Sequence, residues 1–308
     1  MNSEQIRKEV TDRVVKLLES GNISKWIRPW VQYGSPRNLG TGRKYSGLLN
    51  IMLLQQVAVE SGYELPLWAT YHQLQNMGAN VLKGQRACRV VFWKEYDHKI
   101  DTAVEETPVQ HADELASGTR RKHFFLQYFS VFNIEQTTLD VDKISAKLGM
   151  VVREHTPVES IESFAAQQGI TIQHGGDTAF YTPSSDYIQM PVIGAFKTPE
   201  DYYSTLFHEL VHSTGHATKL NRIQNGMFGT EAYAREELIA ELGSLYLCAE
   251  LGLEGKLQHP EYLNSWLSVL KANTSEVFKV AGKAKEAVDY LLAQANLLEK
   301  DEQIDIAS

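Results

Sequence analysis

Apolar residues recur at helical spacing in three stretches of the first half of the chain. Within residues 2–20 they stand three to four positions apart, and Gly21 follows as a stop signal, which predicts a helix. Residues 48–61 form a nearly continuous apolar run closed by Gly62, which predicts a buried helix. A short helix is also predicted within residues 67–81, ending near Gly78.

β-Branched and aromatic residues dominate two other stretches of this half, "CRVVFWKEY" at 88–96 and "HFFLQYFSVFNI" at 123–134, and these predict strands. Residues 97–122 between them are polar and lack a strong period, so we expect a mobile loop or insertion there. Residues 26–47 are rich in glycine, proline and aromatic side chains, which predicts another loop.

The order of elements changes after a boundary that we predict within residues 136–156. A helix is expected over 157–168, and three short strands follow, "ITIQHG", "AFYTP" and "DYIQMP". Further helices are predicted over 199–214, 230–251, 260–272 and 274–299. A small sheet followed by helices is an α+β pattern. We therefore predict two domains, a mixed α/β domain at 1–145 and a sheet-plus-helix domain at 146–308.

Charge is divided unevenly between the same two segments. Residues 1–145 carry 18 Lys and Arg against 16 Asp and Glu, a net of +2, whereas residues 146–308 carry 12 against 22, a net of −10. The first hundred residues, with 14 against 8, have a net of +6. This asymmetry predicts different partners for the two domains, although surface charge can also drift freely between domains.

The two cysteines, Cys88 and Cys248, are far apart in sequence, so we predict neither a disulfide framework nor a cysteine-based zinc site. No stretch approaches the ~20 apolar residues of a membrane-spanning helix. The first twenty residues also lack the apolar core of a signal peptide. We therefore expect a cytoplasmic protein without a membrane partner.

The clearest chemical motif is "HELVH" within the predicted helix over 199–214. Residues four apart lie on one helix face, so His208 and His212 can bind the same metal ion. Such an ion lowers the pKa of a bound water, and Glu209 beside it can take the proton. The motif therefore predicts a hydrolytic metal site with Glu209 as catalytic base. The competing interpretation is a helix with two ordinary histidines.

A catalytic zinc ion needs a third protein ligand. His216 continues the spacing of four, but residues on three successive turns span about 12 Å, whereas zinc–nitrogen bonds are about 2.1 Å. His216 could join only if the chain bends at Gly215. The metzincin pattern places its third histidine two residues further along. A metzincin site is therefore not expected, and His216 is left as a pocket residue or alternative ligand.

A better third ligand is predicted on the helix over 230–251. Glu237 and Glu241 lie four apart on an apolar face, and carboxylates on a buried face are costly unless paired or metal-bound. We assign Glu237 as ligand and Glu241 as the carboxylate that orients a ligand histidine, with the reverse assignment as the alternative. This is the glutamate-zincin arrangement. Glu236 is expected to face solvent. The competing interpretation for Glu237 and Glu241 is a salt-bridged helix face, with Arg235 nearby.

Peptide hydrolysis also needs a hydrogen-bond donor for the developing oxyanion. The sequence does not choose among several candidates, and a tyrosine is more often a core residue than a catalyst. The candidates are Tyr181, Tyr187, Tyr233 and His216.

Aromatic and basic residues interleave in the first half of the chain. Flat rings for stacking and cations for phosphates suit single-stranded DNA, although aromatic residues in strands usually belong to the core. The stretch "TGRKYSG" at 41–47 is the most suggestive, because its glycines allow close approach of the backbone and two cations stand between them. The candidate DNA contacts are Trp26, Arg28, Trp30, Arg43, Lys44, Tyr45, Lys83, Arg86 and Trp93.

Both halves resemble one family, the ArdC-type antirestriction proteins, which occur on conjugative plasmids and attached to some plasmid primases. The first half is similar to the single-stranded-DNA-binding domain of that family through "WIRPW", "PRNLGTGRKYSGLLNIMLL", "LWATYHQLQNMGANVLKGQ", "VVFWKEY" and "YFSVFNIEQ". The second half is similar to its zincin-like metallopeptidase domain through "AFYTPSSDYIQMP", "FHELVHSTGHATKLNR" and "YAREELIAELGSLYLC". The resemblance covers residues 3–298 except for 97–122.

The resemblance implies an antirestriction protein of a mobile element, which binds single-stranded DNA and protects incoming plasmid DNA from host restriction. It implies a metallopeptidase site that holds Zn²⁺, or Mn²⁺ or another divalent ion. A host restriction or other DNA-processing protein is then the expected substrate or partner. Two alternatives remain open: a DNA-binding protein whose metal domain is structural or only docks a partner, and a toxin-like effector with the same peptidase fold.

Overall fold

A computed structural model describes residues 3–20, 34–96, 123–148, 158–222, 230–253 and 263–297. For residues 3, 93–96, 123–125 and 158 the description covers the backbone alone. The loop or insertion predicted over 97–122 lies outside the described residues.

The first half contains a four-stranded sheet with the strand order β1-β2-β4-β3. The strands are β1 (Arg37–Asn38), β2 (Leu67–Thr70), β3 (Cys88–Tyr96) and β4 (His123–Asn133). β4 is antiparallel to both β2 and β3, and the long pair of β3 and β4 confirms the two predicted strands. The helices are α1 (Ser3–Glu19), α2 (Leu48–Ser61), α3 (Tyr71–Asn76) and α4 (Val141–Lys147).

The apolar run at 48–61 forms α2, as predicted, and this helix covers the edge of the sheet at β3. It ends at Gly62, whose φ of 74° is in the left-handed region that favours glycine. Asn50 is buried, and its amide group donates to the carbonyl oxygen of Val91 and accepts from the N–H of Val91, both at 2.7 Å. α2 therefore satisfies backbone groups that an edge strand would otherwise leave unpaired.

The helix predicted over 67–81 is in fact a strand followed by a shorter helix. Leu67–Thr70 pairs with β4 and is largely buried, so it is held as β2 despite a pattern that also suits a helix. α3 begins after Thr70, whose hydroxyl accepts from the N–H of Gln73 while the Gln73 side chain accepts from the N–H of Thr70. This reciprocal cap sets the boundary. Two further short elements lie in stretches predicted as loop or linker, namely β1 and α4.

The second half contains a three-stranded sheet with the order β5-β7-β6, in which β7 is parallel to β5 and antiparallel to β6. The strands are β5 (Thr171–His174), β6 (Phe180–Thr182) and β7 (Tyr187–Met190). The helices are α5 (Val158–Ala166), α6 (Pro199–Thr214), α7 (Glu231–Glu250), α8 (Leu263–Ala272) and α9 (Glu276–Gln294). The α+β class is confirmed. Across the described part of the chain, no helix has both the length and the apolar character that crossing a membrane requires.

The apolar core is continuous between the two halves. α1 packs against α8 as well as α2, and one cluster of buried side chains includes residues of α1, α2, α6, α7 and α9. Polar contacts follow the same interface: the hydroxyl of Thr11 donates to the carbonyl oxygen of Thr274 at 3.0 Å, and Lys271 pairs with Glu19 at 2.7 Å. Residues on both sides of the boundary predicted at 145/146 therefore belong to one apolar core.

Candidate metal centre

The helix α6 carries both histidines of the HExxH motif. It begins where the hydroxyl of Thr198 accepts from the N–H of Asp201 at 3.2 Å, with Pro199 in the first helical turn. It ends before Gly215, as predicted. Gly215 has a φ of −73°, so the helix end does not use the conformational freedom of glycine.

The helix α7 packs closely on α6 through a glycine. A Cβ atom at Gly243 would lie 2.9 Å from Cγ2 of Val211, which is too close for any residue with a side chain unless the helices shift. The neighbouring Ser244 donates its hydroxyl hydrogen bond to the carbonyl oxygen of Ser204 at 2.7 Å. This close crossing brings the carboxylates of α7 up to the histidines of α6.

Three side chains from α6 and α7 converge on one point. Nε2 of His208 lies 3.0 Å from Nε2 of His212, and each of these nitrogens lies 3.6 Å from a carboxylate oxygen of Glu237. A tetrahedral zinc ion with bonds of about 2.1 Å separates its ligand atoms by about 3.4 Å. Two imidazoles and one carboxylate with these separations fit a single divalent ion, and all three ligand atoms lie within 4.8 Å of one another.

Glu241 lies on the other side of the first histidine. One of its carboxylate oxygens is 3.9 Å from Nδ1 of His208, and the side chain is 0% exposed. Glu237 faces the Nε2 atoms of both histidines, whereas Glu241 faces the Nδ1 atom that points away from the cluster. This geometry favours Glu237 as the ligand and Glu241 as the carboxylate behind the imidazole.

The prediction that Glu236 faces solvent is wrong. Its side chain is 12% exposed, and its Oε1 lies 3.4 Å from Nδ1 of His212. Arg222 donates to both oxygens of this carboxylate, at 2.8 and 3.2 Å. The same guanidinium donates to the carbonyl oxygen of Val211 and to the hydroxyl of Thr214, both in α6. Arg222 thus holds Glu236 in place, and Glu236 in turn faces the second ligand histidine.

The sequence pattern does not predict this pair, because Arg222 lies in the connection after α6 whereas Glu236 lies in α7. The available signal was an arginine at the end of "HATKLNR" and an extra glutamate directly before the proposed ligand. The competing salt-bridge interpretation involved Arg235. That residue instead pairs with Glu276 at 2.7 Å and Glu231 at 3.2 Å.

The surrounding carboxylates change the proton affinity of His212. Burial alone lowers its pKa, but the contact with Glu236 and the charges of Glu209 and Glu237 outweigh burial and raise the pKa to about 9. Burial raises the pKa of Glu236, yet His212 and Arg222 hold it below its ordinary value. In the metal-free protein His212 therefore carries a proton at neutral pH, which a metal ion must displace.

Glu209, the predicted base, is buried beside the cluster in α6. Its negative charge is among the causes that raise the pKa of His212. It is distinct from the three side chains whose ligand atoms converge. The position suits a group that accepts a proton rather than one that binds the ion.

The candidate oxyanion donors have different surroundings. Tyr181, in β6, donates its hydroxyl hydrogen bond to Asp186 at 2.8 Å, so its proton is already engaged. His216 lies beyond the end of α6, and its Nδ1 is 2.8 Å from the hydroxyl of Thr218. The two remaining candidates, both half-buried, are Tyr187 and Tyr233.

The predicted DNA contacts differ in exposure. Lys44 is largely buried, and its Nζ lies 3.9 Å from a carboxylate oxygen of Glu250 at the end of α7. Tyr45 is 6% exposed, and its hydroxyl accepts from Asn38 at 3.0 Å, so its ring is not available for base stacking. The exposed candidates are Arg43, Lys83 and Arg86. Outside the description lie Trp26, Arg28, Trp30 and the side chain of Trp93, whose backbone belongs to β3.

The fold and the converging side chains define a two-domain protein with a zincin-like metal site. Residues 159–283 match the family described as zincin-like metallopeptidase, and residues 4–132 match the N-terminal domain of the anti-restriction factor ArdC. The uncharacterized protein y4eC of Sinorhizobium fredii is 36% identical over 303 residues, which cover 96% of this chain and 94% of that protein. The chain belongs to the ArdC family of antirestriction proteins.

Two crystal structures of the antirestriction protein ArdC from plasmid R388 are similar to this chain. The Mn(II)-bound one is 30% identical with a TM-score of 0.72, over 95% of this chain and 99% of the other. The metal-free one is 32% identical with a TM-score of 0.75, over 96% and 99%. A DNA primase TraC of Escherichia coli is 35% identical over 297 residues, which are 92% of this chain but 27% of the primase. The family resemblance is confirmed, and a zincin-like domain implies a divalent metal.

Proposed function

We propose that this protein protects incoming plasmid DNA from host restriction in the cytoplasm. Its first half would bind single-stranded DNA, and its second half would be a zinc-dependent metallopeptidase. The observation that carries the peptidase proposal is the convergence of His208, His212 and Glu237 on one point beside the buried Glu209. Membership of the ArdC family supports the antirestriction role.

The residues of the chain divide the work of hydrolysis. An ion held by His208, His212 and Glu237 would lower the pKa of a water and polarise a peptide carbonyl. Glu209 would accept the proton of the attacking water and pass it to the leaving amine. Glu241 would keep the first imidazole oriented. The oxyanion would be stabilised by a donor from the set Tyr187, Tyr233 and His216.

The donor set is compatible with more than one ion. Imidazole ligands suit zinc, whereas carboxylate ligands also suit manganese, the ion bound in one R388 ArdC structure. We therefore propose Zn²⁺ as the resident ion and Mn²⁺ as the alternative. A host restriction protein or another DNA-processing protein brought close by shared DNA would be the peptidase substrate.

On the DNA side, exposed cations would contact phosphates, while Lys44 would have to exchange Glu250 for a phosphate. Tyr45 would shape its loop through Asn38 rather than stack on a base. The proposed phosphate contacts are Arg43, Lys83 and Arg86, with Trp26, Arg28, Trp30 and Trp93 retained as proposed contacts from the sequence.

The substitution Glu209→Gln tests the catalytic part of the proposal. It leaves the three ligands in place but removes the base, so metal content should be unchanged. Cleavage of restriction subunits should fall by about 10²- to 10⁴-fold. Protection is measured as plasmid transfer into restricting relative to non-restricting recipients, and it should be lost. Glu200→Gln, at an exposed acid in the first turn of the same helix, is the matched control.

If Glu209→Gln protects DNA as well as the parent protein does, hydrolysis is not part of protection. That result would favour the alternative in which DNA binding protects and the metal domain is structural or docks a partner. Loss of metal from the variant would show instead that Glu209 is a ligand.

A further inference from the structure

The strand β4 exposes an aromatic ring next to an arginine. Tyr128 is 37% exposed, although Leu126 and Val131 of the same strand are buried. The guanidinium carbon of Arg89, in β3, lies 5.9 Å from the centroid of the Tyr128 ring, a cation–π contact. Glu9 of α1 pairs with the same guanidinium and helps to hold it beside the ring.

The strand register places a small side chain between these groups. Arg89 lies directly opposite Ser130 in the antiparallel pair, and Tyr128 is two residues from Ser130. Directly opposite residues and residues two apart share one face of a sheet, so all three side chains are on the same face. Ser130 is exposed, which leaves the middle of this face open to solvent.

A second exposed tyrosine directly follows the end of the neighbouring strand. β2 ends at Thr70, whose Cα is paired with Val131 of β4, and Tyr71 follows as the first residue of α3. Tyr71 is 49% exposed. Tyr71, Arg89, Tyr128 and Ser130 are called the Tyr128 face below.

The chemistry of the Tyr128 face suits bases that are free to stack. Tyrosine rings and guanidinium planes stack on the faces of bases, which a single strand exposes and a duplex hides. The segment that leads into β3 carries two exposed cations, Lys83 and Arg86, for phosphates. A protein partner would instead find little apolar surface on this face, because Leu126, two residues from Tyr128, and Val91, directly opposite Tyr128, are buried.

We propose that the Tyr128 face stacks bases of single-stranded DNA, with Tyr128 and Tyr71 as the rings and Arg89 as the cation. The inference rests on the proposed DNA-binding function of the first half.

The substitution Tyr128→Ala in the full chain tests the proposal, with a fluorescent oligothymidylate as probe and anisotropy recorded over a series of salt concentrations. The parent should bind, and binding should weaken steeply with salt. Tyr128→Ala should bind about 5- to 100-fold more weakly with the same salt slope, because stacking releases no counterion. Arg89→Ala should flatten the slope by about 0.7, and Tyr128→Phe should bind like the parent.

Phe129 supplies the matched control. It is the next residue in the strand and 47% exposed, but it lies on the opposite face, where its ring packs edge-on against Phe92 at 5.5 Å. Phe129→Ala should therefore bind DNA like the parent. Thermal melting verifies that each variant is folded, and Tyr71→Ala is a second variant of the Tyr128 face should Tyr128→Ala unfold.

The outcomes separate this inference from the proposed function. Binding by Tyr128→Ala equal to the parent overturns the inference alone, as does a loss confined to Phe129→Ala. The inference is also overturned if Tyr128→Ala binds DNA normally but no longer protects plasmids, since the face would then bind a protein. Absence of DNA binding by the parent overturns the proposed function itself.

Discussion

At His212 a proton and a metal ion compete for the same imidazole. Glu236, Glu209 and Glu237 together raise its pKa to about 9 in the metal-free protein, because their negative charge outweighs the effect of burial. The same charges that would attract a divalent cation therefore also stabilise the imidazolium. A metal ion binds only neutral imidazole, so metal binding must release a proton.

The affinity of the metal-free protein for Zn²⁺ should consequently depend on pH. It should rise about tenfold per pH unit through the neutral range and level off near pH 9, as measured by titration with a chelator-buffered ion. The stability of the metal-free protein should move the opposite way. A folded pKa above the ordinary 6.5 stabilises the fold fully below pH 6.5, and this contribution is lost as pH rises through about 9.

Glu236→Gln separates charge from orientation in the same titration. It keeps the shape of the side chain but removes its charge, so the plateau should begin at a lower pH. Once the pH has reached the plateau, affinity should be about 10- to 100-fold weaker, because the imidazole has lost the charged carboxylate that raises its basicity as a ligand. Glu231→Gln, in the first turn of α7, is the control and should leave both quantities unchanged. An affinity that is independent of pH between 6.5 and 9 would contradict the raised pKa of His212.

Among the secondary-structure elements, the crossing of α6 and α7 determines whether the site exists. Each helix supplies part of the ligand set, and Gly243 against Val211 sets how closely the helices approach. Gly243→Ala should therefore destabilise the protein by about 1–3 kcal/mol, despite the better helix propensity of alanine. It should also weaken metal binding, since it pushes Glu237 away from the two histidines.

Gly282 in α9 is the natural comparison for that substitution. It is exposed, and no heavy atom lies within 4 Å of a Cβ built on it. Gly282→Ala should stabilise the protein by about 0.5–1 kcal/mol and leave metal affinity unchanged. Denaturant unfolding of both variants gives the comparison. Equal effects of the two substitutions would show that α6 and α7 are not in tight contact at Gly243.

The sequence predicts well those elements whose buried residues recur at a regular spacing or form a continuous apolar run. α1, α2, β3 and β4 follow from apolar periodicity or apolar runs, and α6 also carries its own cap and the HExxH spacing. The sequence does not predict β2, because a short apolar run suits either a strand or a helix until its pairing with β4 is known. Local sequence also does not predict the Arg222–Glu236 pair or the burial of Tyr45, because both depend on contacts between distant segments.

Across the whole molecule, α7 connects the metal centre to the predicted DNA-binding half. Glu237 lies in its second turn, and Glu250 at its end accepts a hydrogen bond from the hydroxyl of Ser35 at 2.5 Å and lies 3.9 Å from Lys44. A second contact between the halves is the packing of α1, in the first half, against α8, in the second half. The two halves are therefore joined by a shared core and by polar contacts, although each matches its own family.

This shared core predicts that the chain unfolds as one cooperative unit. Leu18, buried in α1, belongs to the cluster that also contains residues of α6 and α7. Leu18→Ala should lower the free energy of unfolding by about 2–5 kcal/mol and shift the melting of both halves together. Saturating Zn²⁺, at about a thousand times its Kd, should raise that free energy by about 4 kcal/mol for the whole chain. The measurement is calorimetry combined with hydrogen exchange, which reports each half separately. Two transitions, of which Zn²⁺ moves one and Leu18→Ala the other, would mean that the halves are independent domains despite the core they share.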